Sequence, residues 1–106
     1  MEKKNIDWGN LGFGYVKTDY RYVSNYKDGK WDEGGLTTDD MVTISECAGV
    51  LQYAQTVFEG MKAYTTEDGH IVTFRPDLNA ERIAASAARL EMPVFPKERF
   101  IDAVNQ

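Results

Sequence analysis

Polar and apolar positions alternate with period two along Tyr20-Arg21-Tyr22-Val23-Ser24-Asn25-Tyr26, which puts Tyr20, Tyr22 and Tyr26 on one face of an extended strand. Asp28-Gly29 follows as a hairpin-turn pair; Lys30-Trp31-Asp32 begins the return strand and Glu33-Gly34-Gly35 ends it. Upstream, Leu11-Gly12-Phe13-Gly14-Tyr15 is too glycine-rich for a helix, where each glycine costs about 1 kcal/mol against alanine. It reads as a loop or strand whose backbone approaches something closely. Met41-Val42-Thr43-Ile44 is a short β-branched run and reads as one more strand.

The period then changes. From Glu46 to Val57, Val50, Ala54 and Val57 share one helical face, as do Cys47 and Leu51, with Ser45 as the cap and Gly60 as the stop. A second hairpin is expected from Met61–Thr65 and His70–Phe74 around the turn Thr66-Glu67-Asp68-Gly69. Pro76 breaks that strand, and a long helix opens at Asp77 with Ile83, Ala87 and Leu90 as its core stripe, closed by Met92-Pro93. A last helix starts at Pro96 or Lys97 and carries Phe100, Ile101 and Val104. The fold class is α+β: one domain over residues 1–106, an antiparallel-rich sheet with hairpins packed against helices. The pattern stops inside an amphipathic helix at Asn105-Gln106, as expected of a piece of a longer enzyme.

Composition narrows the function classes. Twelve Lys+Arg against 17 Asp+Glu give a formal net charge of −5, and the acidic balance argues against binding a nucleic-acid backbone. No apolar run approaches the roughly 20 residues of a membrane span, and the first residues lack the apolar stretch of a signal peptide. The lone Cys47 cannot form an internal disulfide, so a reducing cytoplasm is the expected compartment. One cysteine and one histidine exclude a Cys/His zinc cluster.

Few residues offer chemistry. Cys47 reads as a buried structural thiol, and His70 as a solvated or strand-capping imidazole beside a turn. The carboxylate pairs Asp32/Glu33, Asp39/Asp40 and Glu67/Asp68 all fall in turns and read as solvated. Gly9, Gly12 and Gly14 lack the helix and acidic partner of a dinucleotide fingerprint, and there is no Gly-Lys-Ser/Thr. Arg82 admits two readings: an arginine oriented by a packed helix, whose planar fork suits a phosphate, or an exposed arginine paired with Glu81, Asp77 or solvent. The aromatics Phe13, Tyr15, Tyr53 and Phe58 are either core and sheet-surface residues or the walls of an apolar pocket.

Tyr53-Ala54-Gln55-Thr56-Val57-Phe58-Glu59-Gly60-Met61-Lys62-Ala63-Tyr64 can be set beside Phe74-Arg75-Pro76-Asp77-Leu78-Asn79-Ala80-Glu81-Arg82 and Ser86-Ala87-Ala88-Arg89-Leu90. Together these blocks resemble the N-terminal small domain of branched-chain amino acid aminotransferases, pyridoxal-phosphate enzymes of the fold type IV group. The resemblance runs from about Phe13 to the last residue, and Leu11 to Tyr20 is similar to that family's start.

The resemblance implies several roles. Arg82 matches the arginine that binds the phosphate of pyridoxal 5'-phosphate; Phe13, Tyr53 and Phe58 match aromatic positions lining the pocket for a branched aliphatic side chain. Such a pocket rewards Leu, Ile and Val by about 0.8 kcal/mol per buried methylene. The family's Schiff-base lysine belongs to its C-terminal domain, and none of the lysines here stands in a matching context. Lys62, inside a family block, belongs to the hairpin. The resemblance therefore implies an enzyme moving the amino group of Leu, Ile or Val to 2-oxoglutarate, with this chain alone inactive and not retaining the cofactor. It also implies a C-terminal domain as partner and a homodimer. Two other readings stand beside it: a related fold type IV enzyme (a D-amino-acid transaminase or aminodeoxychorismate lyase), and a non-catalytic stand-alone binding domain.

Overall fold

The structure, a computed structural model, describes residues 4–106. After a single 3-10 turn at Trp8–Asn10, the first ordered unit is an interrupted hairpin. Strand β1 (Arg21–Val23) pairs antiparallel with β4 (Gly35–Thr37), and β2 (Tyr26–Lys27) pairs with β3 (Lys30–Trp31). Asp28 and Gly29 both take positive φ, 52° and 81°, the paired left-handed geometry of a two-residue hairpin turn. The register steps by one residue between the two ladders, from Val23↔Gly35 to Tyr26↔Trp31. Two residues on the outgoing strand thus face three on the return, a β-bulge. The glycines therefore do not end the return strand, as the sequence reading expected; Gly34 absorbs the bulge and pairing resumes to Thr37.

The bulge is held by side chains from both directions. The Asp32 carboxylate accepts from the Ser24 hydroxyl at 2.9 Å and from the Asn25 backbone N–H at 3.0 Å. Arg99 Nη2, from the far end of the chain, donates to the carbonyls of Asp32 at 2.6 Å and Glu33 at 2.8 Å. Trp31 Nε1 donates to the Val94 carbonyl at 3.0 Å, and its ring meets Phe95 edge-on with centroids 4.9 Å apart. Arg99 in turn lies over the Phe95 ring at 5.0 Å. The first hairpin is thereby docked against the segment that leads into the last helix.

Strands β5 (Ala63–Thr65) and β6 (Ile71–Thr73) form the second hairpin where the sequence places it. Its loop closes through Thr66, whose N–H donates to the His70 carbonyl at 2.8 Å, and through Gly69 at φ 87°. The three ladders are separate two-stranded antiparallel pairs, so the α+β class holds with three small ladders in place of one continuous sheet.

Two expected elements differ. The helix expected over Glu46–Val57 is a single short α1, Gly49–Tyr53, ended by Ala54 in the left-handed region. Ser45 does not cap it; its hydroxyl accepts from the Cys47 N–H at 3.1 Å, one turn too early. Val50 and Leu51 stand exposed, so the helix lacks the apolar partner that a segment this short needs to persist. Met41–Ile44 is irregular and exposed, because β1 and β4 are paired to each other and no ladder reaches it.

The long helix α2 runs Pro76–Arg89, with Pro76 at its first turn, where a missing N–H costs nothing. Arg75 before it sits at φ 47°, held by a two-pronged pairing with the Asp77 carboxylate at 2.9 and 2.7 Å. The helix stops in a Schellman arrangement: Met92 N–H donates to the Ala87 carbonyl at 2.9 Å and Glu91 N–H to Ala88 at 3.1 Å, with Glu91 at φ 54°. Helix α3, Lys97–Asn105, packs against α2. The buried stripe of α2 is Asn79, Ala80 and Ala87, flanked by half-buried Ile83; Leu90, expected in the core, is exposed.

That core is very small. Ala80 and Ala87 are the buried hydrophobic residues among those described. A folded monomer of 12.0 kDa exposes about 6,000 Å², whereas this chain exposes 9198 Å². The Cα radius of gyration is 15.8 Å, where about 13 Å is usual at this length. Large apolar side chains such as Phe13, Phe74, Ile71 and Met41 lie in solvent.

Gly34 gives a direct test of the bulge. Its φ is 71°, and a Cβ placed there would sit 2.4 Å from the Tyr22 hydroxyl oxygen. Gly34→Ala is expected to destabilise the chain by about 1–3 kcal/mol in urea titration. Gly14→Ala, with nothing within 4 Å of its added methyl, is expected to stay within about 0.5 kcal/mol of the parent.

Candidate functional site

The site is built from the strand-approach segment Phe58-Glu59-Gly60 and one face of α2. Asn79 and Arg82 are three residues apart on that helix and so project from the same side. Both reach the Glu59 carboxylate. Arg82 Nε donates to Oε2 at 2.8 Å and Arg82 Nη2 donates to Oε1, a two-pronged, side-on pairing. Asn79 Nδ2 donates to Glu59 Oε1 at 2.9 Å and to the Gly60 carbonyl at 3.0 Å, and Gly60 N–H donates back to Oε1 at 3.2 Å. The Glu59 side chain is 6% exposed and that of Arg82 62% exposed. The carboxylate is thus enclosed at the base of the cluster while the guanidinium stands at its mouth.

Arg82 therefore has a partner that neither sequence reading named. Glu81 and Asp77 are engaged elsewhere: Glu81 accepts from Lys97 Nζ, and Asp77 holds Arg75. Two of the five N–H bonds of Arg82 go to Glu59, and Nη1 makes no hydrogen bond among the described residues. The outward edge of the fork is free for an anion, so the residue fits a phosphate.

The aromatic candidates are placed differently. Phe13 is fully exposed, and Tyr53 and Phe58 are 87% and 89% exposed. Rings so bare enclose no pocket by themselves. Phe58 does adjoin the Arg82 cluster through the chain, and its ring lies over Gly60. Tyr53 is the last residue of α1. Three clefts lie elsewhere and take in Tyr15 but not Phe13, Tyr53, Phe58 or Arg82. One of about 160 Å³ lies among Tyr15, Thr18, Arg21 and Asp40, where the Tyr15 hydroxyl donates to Asp40 at 3.2 Å. One of about 510 Å³ lies between β5–β6 and the end of α3, and one of about 440 Å³ lies by the first hairpin turn. Cys47, expected to be buried, is exposed, and His70 pairs loosely with Asp68 at 3.4 Å. Among the described residues no group of His, Cys, Asp or Glu is disposed to hold a metal ion, and no helix is long and apolar enough to cross a membrane.

No family model matches the sequence. Curated relatives do. The chain is 53% identical over 103 residues to a branched-chain-amino-acid aminotransferase of Haemophilus influenzae, a match covering 97% of this chain and 30% of that protein. It is 45% identical over 100 residues to a branched-chain-amino-acid aminotransferase of Helicobacter pylori, covering 94% of this chain and 29% of that protein. A methionine aminotransferase of Arabidopsis thaliana is 44% identical over 103 residues, with 96% and 29% covered. The chain is thus similar along nearly its whole length to aminotransferases. More closely, its relatives carry the name branched-chain-amino-acid aminotransferase, and the chain spans about 30% of their length.

The cluster has a pH signature. The paired Arg82 guanidinium, helped by Asn79, holds the Glu59 carboxyl below its ordinary value near 4.5, against the opposing effect of burial. Arg75 draws Asp77 from 3.8 down to about 2. Depressed carboxyls stabilise the fold fully above their unfolded values and lose that contribution as pH falls through the folded ones. Stability is therefore expected to be insensitive to these two groups above about pH 5 and to fall below it. Carboxyl-detected NMR should find Asp77 titrating near 2 and Glu59 below 4.5. A Glu59 midpoint at or above 4.5 would mean that its pairing with Arg82 is not formed in solution.

Proposed function

We propose that the chain is the small-domain portion of a pyridoxal-phosphate-dependent aminotransferase that moves the amino group of Leu, Ile or Val to 2-oxoglutarate. The observation that carries this reading is similarity along nearly the whole chain to proteins of that name. Arg82 holds the cofactor's phosphate with the outward edge of its fork, and its exposed, pre-paired guanidinium supports that role. When bound, the cofactor supplies the electron sink that lets an amino group leave one carbon skeleton for another. Phe13, Tyr53 and Phe58 wall the substrate side chain once further protein covers them, and their exposure in this chain agrees with that.

None of the lysines here stands in the family's Schiff-base context, so this reading places the reactive lysine outside the chain. A lysine that must give up a proton to attack an aldehyde is hindered by a carboxylate neighbour, and Lys97 is paired to Glu81. The Lys97 ammonium is held above its ordinary range by Glu81. The partner that covers the bare apolar surface is the remaining domain of the enzyme, and the assembly is a cytoplasmic homodimer. Because one relative is a methionine aminotransferase, the side-chain pocket accepts a flexible thioether as well as a branched chain.

Two measurements test this. The 106-residue chain with pyridoxal 5'-phosphate, leucine and 2-oxoglutarate is expected to form no glutamate above the protein-free rate. Mixed with the part of the Haemophilus influenzae relative that it does not match, it is expected to restore turnover of leucine and, more slowly, of methionine. Failure of a folded, associated mixture to transaminate either amino acid overturns the reading. The chain alone is also expected to enhance the fluorescence of a hydrophobic dye, and the complementing part to abolish that signal.

A further inference from the structure

We infer that Glu59, seated by Asn79 and the Gly60 N–H, is a positioning residue that aims Arg82 at a phosphate group. The inference rests on the phosphate-binding reading of Arg82 and assigns the means by which that arginine is presented. A guanidinium has two edges able to grip an anion in parallel. Glu59 occupies the side-on edge through Nε and Nη2, which leaves the Nη1/Nη2 edge for the ligand.

An arginine on an open helix face samples many rotamers, and a ligand must freeze them on binding. Here the freezing is done in advance. Glu59 comes from a segment 23 residues away in sequence, and its own carboxylate is immobilised by two further donors. Asn79 is buried and commits both of its recorded bonds to this segment. The arrangement is lopsided in exposure, with a covered carboxylate and an open guanidinium. A pairing that merely neutralised charge would show no such difference.

Glu59 also carries a negative charge close to where a phosphate would sit, so aim and repulsion work in opposite directions. Asn79→Ala separates them, because it loosens Glu59 without changing any charge. The test follows the Arg82 side-chain N–H signals of the 106-residue chain, associated with the complementing part of the Haemophilus influenzae relative, by NMR during titration with inorganic phosphate. Backbone spectra of each variant report whether the fold is kept. The expected result is that phosphate moves the Arg82 Nη signals while Nε–H stays sharp. Asn79→Ala and Glu59→Ala are then expected to weaken phosphate binding about tenfold, with Glu59→Gln between them and the parent.

If phosphate moves Arg82 but the folded variants bind it as well as the parent or better, Glu59 does not position Arg82, and the phosphate reading stands without it. If phosphate leaves Arg82 unmoved in the parent, the phosphate reading fails and takes this inference with it. Should Asn79→Ala unfold, Glu59→Gln decides the same question, since it keeps one acceptor oxygen in the loop.

Discussion

The tertiary structure depends on polar clasps in place of a hydrophobic core. With Ala80 and Ala87 as the buried apolar side chains among the described residues, burial supplies little of the force that joins the elements. Long-range hydrogen bonds to backbone carbonyls do much of that work. Arg99 reaches the bulge at Asp32 and Glu33, Trp31 reaches Val94, Gln55 Nε2 donates to the Leu90 carbonyl at 3.2 Å, and Asn79 reaches Gly60. These five end on α2, on α3 or on the link between them, whereas Arg21 of β1 donates to the carbonyls of Asp39 and Met41. The helix pair is the frame, and the first hairpin, the Gln55 segment after α1 and the Glu59–Gly60 segment are tied to it. Exposed bonds of this kind contribute about 0.5–1.5 kcal/mol each, far less than the surface left in solvent would contribute if covered.

The same shortage of core explains why the site looks as it does. Phe13, Tyr53 and Phe58 are large, apolar and bare, which is costly for a chain that must stand alone and natural for one wall of a cleft whose other wall is separate. Arg82 is already fixed in place without that other wall, because its partner Glu59 is local to the domain. On the proposed reading, the polar half of the site is preformed within the chain and the apolar half requires cover. Binding a phosphate needs orientation, which a carboxylate clamp provides, whereas binding an aliphatic side chain needs exclusion of water, which no single surface provides.

Features governed by short-range chemistry were legible in the sequence. Asp28-Gly29 and Thr66–Gly69 fix their hairpins because left-handed backbone at a turn has few candidates. Helix α2 follows from its period and from Pro76 at its start. What was not legible depends on partners far along the chain. The strand resumes after Gly34 where Tyr22 and Arg99 both donate to the bulge carbonyls, and no local pattern carries that. The apolar spacing over Glu46–Val57 has the helical period, yet without a surface to pack on only five residues keep it. The role of Glu59 is hidden for a similar reason. This residue stands outside the turn-bound carboxylate pairs and 23 residues from the arginine it holds. The one available signal was that Asn79 and Arg82 share a helix face, which leaves room for a single acceptor between them.

Two arginines at the opening of α2 show why pairing alone does not make a binding group. Arg75 is gripped by Asp77 only two residues away, and that grip is spent on a backbone in the left-handed region at φ 47°, where a residue with a Cβ is strained. Its guanidinium bends back on its own turn and serves the entry to the helix. Arg82 stands where the helix is regular, so its clamp holds no strained backbone in place and instead fixes the direction of the side chain. The sequence sets Arg75 and Arg82 seven residues apart, two helical turns, and gives each a carboxylate. The distance to that carboxylate along the chain separates the two roles: a near one shapes the backbone, and a far one joins a loop to a helix and leaves an oriented charge at their seam.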